Sequence, residues 1–550
     1  MNRKMRRIYL FIIIIGFAFS SCSKSFLNDT PIGELSETQV QTPDNLEGLV
    51  VSAYSVLNGQ FDEASNAFNS PASNWSFGDV VSDDAYKGGG GTGDQNQIHL
   101  MEIFQTNPSI IDMDRKWMAL YEGVKRANLA IRELNQSETF DPTLKTQRIA
   151  EMRFLRGHYY FELKKIYNRI PWIDETAEST DAYYKSNTEL TSDQLWQKIL
   201  DDFDAAYKVL PATQDEPARP TKWAARAYMA KCYIFMQDWN DAITAADDVI
   251  SSGKYHLMDN FRDVFLPDND NGPEVVFAVQ NSINDGSPDN YNGSIGDRLL
   301  TPGGPYPNYG FLRPSQNLVN SFKTNASGMP VEDNVNVTDN DYVDPRLDHT
   351  VGRHGIPYLD MGIYNWEPRD PVTYGEFIQK KRQVSKNSPA YLQVWPYVTS
   401  MNYYIIRYAD VLLWRAEAAI ETGDLETGRT YINMVRGRAK NSEVVKFDDG
   451  TPAANYSIDT YNTPFADKAE ATTALRTERR LEFALEGHRF FDLVRWGIAD
   501  SVMNNYFAVE KTRRTHLSNA HFTAGKNEYD PIPQAMVDLG KGMITQNPGY

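Results

Sequence analysis

The chain has 550 residues, with 73 acidic against 55 basic side chains and a formal charge of −18. That balance argues against a nucleic-acid binder, because neutralising phosphates takes patches of Lys and Arg, and the length allows two to four ordinary domains. The 31 Tyr and 10 Trp are an excess of aromatic surface that needs a use.

Arg3, Lys4, Arg6 and Arg7 precede an unbroken apolar run from Ile8 to Phe19, followed by Ser20 and Ser21. A basic head, a short apolar centre and small residues make a secretory signal peptide over residues 1–21. The centre is too short for a membrane-anchor helix, which needs about 20 residues. Cys22 follows directly, so the stretch resembles a bacterial lipobox, with Phe19 where that pattern prefers leucine. The resemblance implies cleavage before Cys22 and acylation of its thiol, with residues 22–30 as a lipidated tether. Two or more acyl chains anchor stably, and Ser23 in second position fits sorting to an outer membrane. The other cysteine, Cys232, lies in the apolar helical pattern "AKCYIF" and reads as a buried, inert thiol, leaving no disulfide within the chain.

Residues 31–258 then read as helices. Trp117, Leu120, Tyr121, Val124, Ala127, Ile131 and Leu134 form one apolar face, and "RIAEMRFLRGHYYFELKKIYNRIPW" predicts a long helix ending before Pro171. Leu195, Ile199, Phe203, Ala206 and Leu210 mark another, with Ser192 as N-cap and Pro211 as stop. Two stretches overlay on each other: "WAARAYMAKCYIFMQDWNDAITAADDVI" from Trp223 and "ADVLLWRAEAAIETGDLETGRTYINMVR" from Ala409. Each predicts a helix, a tight turn at Gln237-Asp238 or Gly423-Asp424, and a second helix. Small residues stand where the two helices approach, as in a tetratricopeptide-like hairpin that buries its apolar face only by stacking on neighbours.

Between the hairpins, residues 259–402 are dense in Pro, Gly, Asn and Asp, with isolated β-like runs such as Glu274 to Gln280. The fold expected is therefore all-α dominated: a helical-hairpin scaffold with a large loop-rich insertion carrying short β elements, closed by a helical region over 403–550. Frequent Tyr and Trp set the insertion apart from disordered chain.

Several motifs carry no chemistry on inspection. "GGGGTG" at Gly88 fits a dinucleotide fingerprint by letter only, lacking the preceding apolar strand and the following helix, and reads as a flexible surface loop. "DNDNG" at Asp268 has its glycine one position early for a calcium loop, and Val279 stands where the closing Glu belongs. His349 and His354 lack further ligands at metal spacing, and nothing calls for a cofactor. Glu486, His488, Arg489 and Asp492 look catalytic, but read better as a partly buried helix with Arg489 and Asp492 paired at i,i+3.

Six segments, taken together and in order, resemble the SusD/RagB family of outer-membrane nutrient-binding lipoproteins. They are "CSKSFLNDTP", "RFLRGHYYFELKKIYNRIPW", "TKWAARAYMAKCYIFMQDWNDAI", "YYIIRYADVLLWRAEA", "LRTERRLEFALEGHRFFDLVRWG" and "PIPQAMVDLGKGMITQNPGY". The resemblance implies a lipid-anchored protein at the cell exterior. It implies no catalysis and a SusC-like TonB-dependent barrel partner, on which the chain acts as a lid that delivers glycan. It leaves a peptide cargo open, and abundant Asp and Glu keep a secreted glycoside hydrolase as the alternative of another class. A third possibility is a purely structural solenoid that docks proteins.

Sugar binding needs aromatic platforms with polar groups at the rim. Scaffold helices use their aromatics internally, so the candidates come from loops. Residues 74–86 offer Asn74, Trp75, Asp83, Asp84 and Tyr86. The insertion offers Tyr291, Tyr306, Tyr309, Tyr364, Trp366 and Trp395.

Overall fold

Several helix starts are fixed by short polar side chains. In the computed structural model, which describes residues 40–61, 67–177, 182 and 184–550, the main helices follow in chain order. They are α1 (Pro43–Ser55), α2 (Ile111–Gln136), α3 (Pro142–Tyr167), α4 (Ser192–Val209), α5 (Lys222–Met236) and α6 (Trp239–Ser251). After the insertion come α7 (Tyr408–Glu421), α8 (Leu425–Asn441), α9 (Lys468–Phe483), α10 (Arg489–Arg495) and α11 (Ala499–Glu510). The signal peptide and Cys22 lie outside the described residues.

The Asp141 carboxylate accepts from the Leu144 N–H at 2.8 Å, and Pro142 opens α3 with its missing N–H at a position that has no helical partner. Helix α3 stops at Asn168, where φ turns positive, short of Pro171. For α4 the cap is Thr191 rather than Ser192: Thr191 and Gln194 bond reciprocally to each other's backbone N–H. The two hairpins match turn for turn. Asp238 caps α6 through the Asp241 N–H, and Asp424 caps α8 through the Thr427 N–H.

Each helix packs on the next in sequence from α2 to α6, and α6 then packs directly on α7. The two hairpins are thus neighbours in space although the insertion separates them in sequence. Close approach is allowed by small residues. A Cβ on Gly123 of α2 would fall 2.5 Å from the Tyr159 ring of α3. In the hairpins Ala224, Ala227, Ala230, Ala242, Ala245 and Ala246 are buried, as is Cys232, whose thiol pKa burial pushes far up.

Four strands tie the insertion to this scaffold. Strand β1 (Ala85–Gly88) pairs antiparallel with β3 (Phe311–Pro314), and β2 (Val275–Val279) with β4 (Tyr403–Arg407). Phe277 of β2 reaches into the helical core, its ring edge-on to Phe154 at 4.8 Å.

At the junction of β4, α8 and α9 lies a buried charge network. Arg346, Lys381, Arg407, Arg436 and Arg438 meet Glu274, Asp344, Glu478, Glu482 and Glu486. Five cations face five carboxylates, which is how charges persist away from water. Arg407 is its hub, donating to both oxygens of Glu486 at 2.9 Å and to Glu274 at 2.6 Å. The expected pairing of Arg489 with Asp492 does not occur. Arg489 reaches Asp83 at 2.8 and 3.0 Å, while Asp492 is held by Arg479 at 2.9 Å and Arg495 at 2.8 Å.

The glycine run from Gly88 is also not a loose loop. Gly88, Gly89 and Gly90 are packed against Gly310, Phe311 and Arg369, and the Lys87 ammonium is wrapped by the carbonyls of Gly91 and Asp94. The cradle holds a cation of the chain itself. Among the described residues no helix is long and apolar enough to cross a membrane, and no cluster of His, Cys, Asp and Glu is disposed to hold a metal.

Candidate functional site: an exposed aromatic platform

The segment expected to form an exposed binding loop, residues 74–86, is interior. Trp75 is 0% exposed, edge-on to Phe311, with its indole N–H donating to the Gly296 carbonyl at 3.1 Å. Asn74 donates to the buried Glu162 at 2.8 Å. Asp83 and Asp84 are clamped by Arg480 and, for Asp83, also Arg489. Burial pushes the Asp83 carboxyl up, but these two guanidinium groups bring it well below the usual carboxylate range. The buried Tyr86 hydroxyl donates to Glu510 at 2.6 Å. None of these five side chains is open to a ligand. Their partners lie far along the chain, and that long-range packing overrides the loop-like local sequence.

Tyr306 and Tyr364 are likewise corrected from platform to foundation, and Trp366 lies half-buried beside them. Tyr306 and Tyr364 are buried, donating to the carbonyls of Val384 at 3.1 Å and Glu376 at 2.7 Å. Half-buried Trp366 packs on Tyr364 and Tyr358 at 4.6 and 5.5 Å and covers Gly304, where a side chain would collide with the indole. This aromatic stack carries Tyr391 on its flank, 5.6 Å from Tyr306.

From Tyr391 a short hairpin rises and returns to Thr399, closed by the Leu392 N–H on the Val398 carbonyl at 2.9 Å and by the Tyr397 N–H on the Val394 carbonyl at 2.8 Å. Its turn projects Val394 and Trp395 outward, and Trp395 is 57% exposed. The Trp395–Pro396 peptide bond is cis.

Two neighbouring loops complete the surface. Ser294 binds Thr399 through its backbone N–H at 3.0 Å and through its hydroxyl, so the turn of 3-10 helix Ile295–Leu300 is locked to the hairpin. That turn places the Arg298 guanidinium over the Trp395 ring and over the Phe68 ring, each at 5.0 Å. The Tyr309 ring stands edge-on to Tyr397 at 6.5 Å, both half-buried. Tyr291 packs beside Ile295 and Val398, and its carbonyl is held by the Asn58 amide at 3.2 Å. Of the predicted aromatics, the structure therefore gathers Trp395, Tyr309 and Tyr291. Sequence reasoning missed Tyr397, Phe68 and Arg298. For Tyr397 the signal was its place two residues after Trp395 in a turn-forming stretch. Arg298, in "IGDRLL", carries no such signal.

The arrangement can stack planar C–H faces on an open indole and adjoining phenol rings, with hydroxyls at the rim, in the manner of a carbohydrate site. Asp297, the nearest carboxylate in sequence, is engaged by Arg382 and Ser73.

A second, small concavity lies within the helical scaffold. A cavity of about 40 Å³ is lined by Lys116, His158, Glu162, Lys165, Lys231 and His488, enough for a few waters. Burial there pulls Lys116 down to about 7 and Lys231 to about 8, while Glu162 is held well below the carboxylate range against burial by Lys165, His158 and Lys116.

The family model described as "SusD family" matches residues 273–550, and one described as "Starch-binding associating with outer membrane" matches residues 26–234. The chain belongs to the SusD family. A SusD-like protein, P38, of Formosa agariphila is 26% identical over 70% of this chain and 73% of its own length. Among solved structures, a laminarin-binding SusD-like protein superposes with a TM-score of 0.69 at 24% identity, covering 92% of this chain and 99% of its own. A surface glycan-binding protein A of Bacteroides thetaiotaomicron, in complex with laminarihexaose, superposes at 0.67 and 24% identity, over 92% and 99% of the two chains. These structural likenesses establish the fold.

Proposed function

We propose that the protein is a surface-exposed outer-membrane lipoprotein, tethered through acylated Cys22, that captures a glycan without cleaving it. The cargo lies across Trp395, Tyr309, Tyr397 and Tyr291, and is delivered to a SusC-like TonB-dependent barrel on which the protein rides as a lid. The observation that carries this reading is Trp395, a tryptophan more than half exposed at a hairpin tip, in a cluster with half-buried tyrosines. Exposing so much apolar ring costs free energy unless something covers it. SusD-family membership and the laminarihexaose bound by one related protein support the choice of sugar. The absence of catalysis is supported by the engagement of Asp297 beside the platform by Arg382 and Ser73. Electrophoresis of the purified chain through gels containing polysaccharides tests it. Retardation by at least one polysaccharide, with no new reducing ends on incubation, is the expected result. Turnover that is lost on changing one Asp or Glu would replace it with the hydrolase reading.

A further inference from the structure

Arg298 has no carboxylate partner among the described residues and, unlike Arg262 and the buried Arg313, which donate to backbone carbonyls, no hydrogen-bonded acceptor there either. The carboxylate nearest in sequence, Asp297, turns away to Arg382 and Ser73. Arg346, Arg407, Arg438, Arg480 and Arg489 are all matched with Asp or Glu. Arg298 instead has ring faces for neighbours, Phe68 and Trp395 at 5.0 Å each. The ionisable groups that face it are the Tyr309 and Tyr291 phenols. Burial lowers its proton affinity and the phenols only partly offset this, yet an arginine stays charged at any physiological pH. Aromatic stacking holds the guanidinium plane, but the N–H donors lie in that plane, where no acceptor among the described residues meets them.

A planar, charged fork with no acceptor among the described residues, set in a sugar-stacking surface, is complementary to an oxyanion carried on a sugar ring. We infer that the platform selects an acidic glycan, with Arg298 gripping a carboxylate or sulfate group while Trp395 stacks on the ring that bears it. The inference rests on the platform reading above and deepens it. A neutral glucan would leave the fork unused, and the desolvation of Arg298 would serve only the packing of two rings. An anionic one converts it into charge-assisted hydrogen bonds, which are roughly twice as strong as neutral ones.

Matched probes separate charge from backbone. The full chain is titrated calorimetrically with polygalacturonate and its methyl ester, with dextran sulfate and dextran, and with laminarin as a neutral reference. The expected result is a preference of at least about tenfold for one acidic member over its neutral partner. That preference should collapse toward unity in Arg298→Gln and be intermediate in Arg298→Lys, with melting temperatures unchanged. Which of the two pairs shows it distinguishes carboxylate from sulfate. A protein that holds a neutral member as tightly as its acidic partner, or an Arg298→Gln variant that keeps the preference, overturns the inference while leaving the platform standing. No binding to any probe, acidic or neutral, counts against both.

Discussion

Replacing Glu486 by Ala should destabilise the protein without touching the platform. Glu486 is buried and accepts from Arg407 through both oxygens at 2.9 Å, and it is the carboxylate partner of Lys381. Without it Arg407 keeps Glu274 and Glu482, but Lys381 is left with backbone carbonyls alone. Removing one partner of a buried pair costs about 3–5 kcal/mol, because the remaining charge stays out of water. Spread over the unfolding entropy of a chain this long, about 1 kcal/mol per degree, the loss lowers the melting temperature by roughly 3–5 °C. Thermal denaturation followed by circular dichroism reads this directly, alongside polysaccharide gels as the functional control. An unchanged melting temperature would refute the balanced network as a source of stability. An unchanged melting temperature with lost binding would move this region from scaffold to site.

Trp75→Ala should behave as a core truncation, losing about 3–5 kcal/mol by denaturant titration; full stability with weakened glycan binding would restore it as a contact residue. Acid should unfold the protein through the same network. Burial pushes Glu482 and Glu486 up, but Arg438, Arg407, Arg346 and Lys381 more than reverse it and leave both at about 2. With folded values below the unfolded value of about 4.3, their contribution is complete above that pH and is lost as pH falls toward 2. Glu486→Gln should therefore flatten the melting-temperature profile between about pH 4.3 and 2, and a slope identical to wild type would contradict the assignment. Cys22→Ala should leave folding intact and release the protein from membranes in a strain lacking the barrel; sedimentation with the outer membrane there would show that acylation is not the tether.

The scaffold was legible because its signals are local. An N-cap acts within three residues, so Asp238 and Asp424 announce their turns, and helical spacing shows which faces of α2 and α4 are buried. The site was legible only where local structure decides exposure, as at Trp395 on its hairpin tip. Trp75 looks equally loop-borne in the sequence, yet its burial depends on Gly296 and Phe311, more than two hundred positions away. The same holds for ion pairs. Arg489 had Asp492 within a helical turn, but packing brought it Asp83 from 406 positions away. Arg298 was invisible for a related reason: what marks it is the absence of a partner among the described residues, and a sequence does not show which of its many carboxylates lies elsewhere.

The central claim is that Trp395 is a platform and not packing, and one variant tests it most directly. Calorimetry of Trp395→Ala against the polysaccharide that the wild-type chain retains should show a loss of about 2 kcal/mol or more, roughly thirtyfold in affinity. Its melting temperature should stay within about a degree of wild type, because a side chain 57% exposed contributes little to the core. Wild-type affinity in that variant would contradict the account and place the site elsewhere on the molecule.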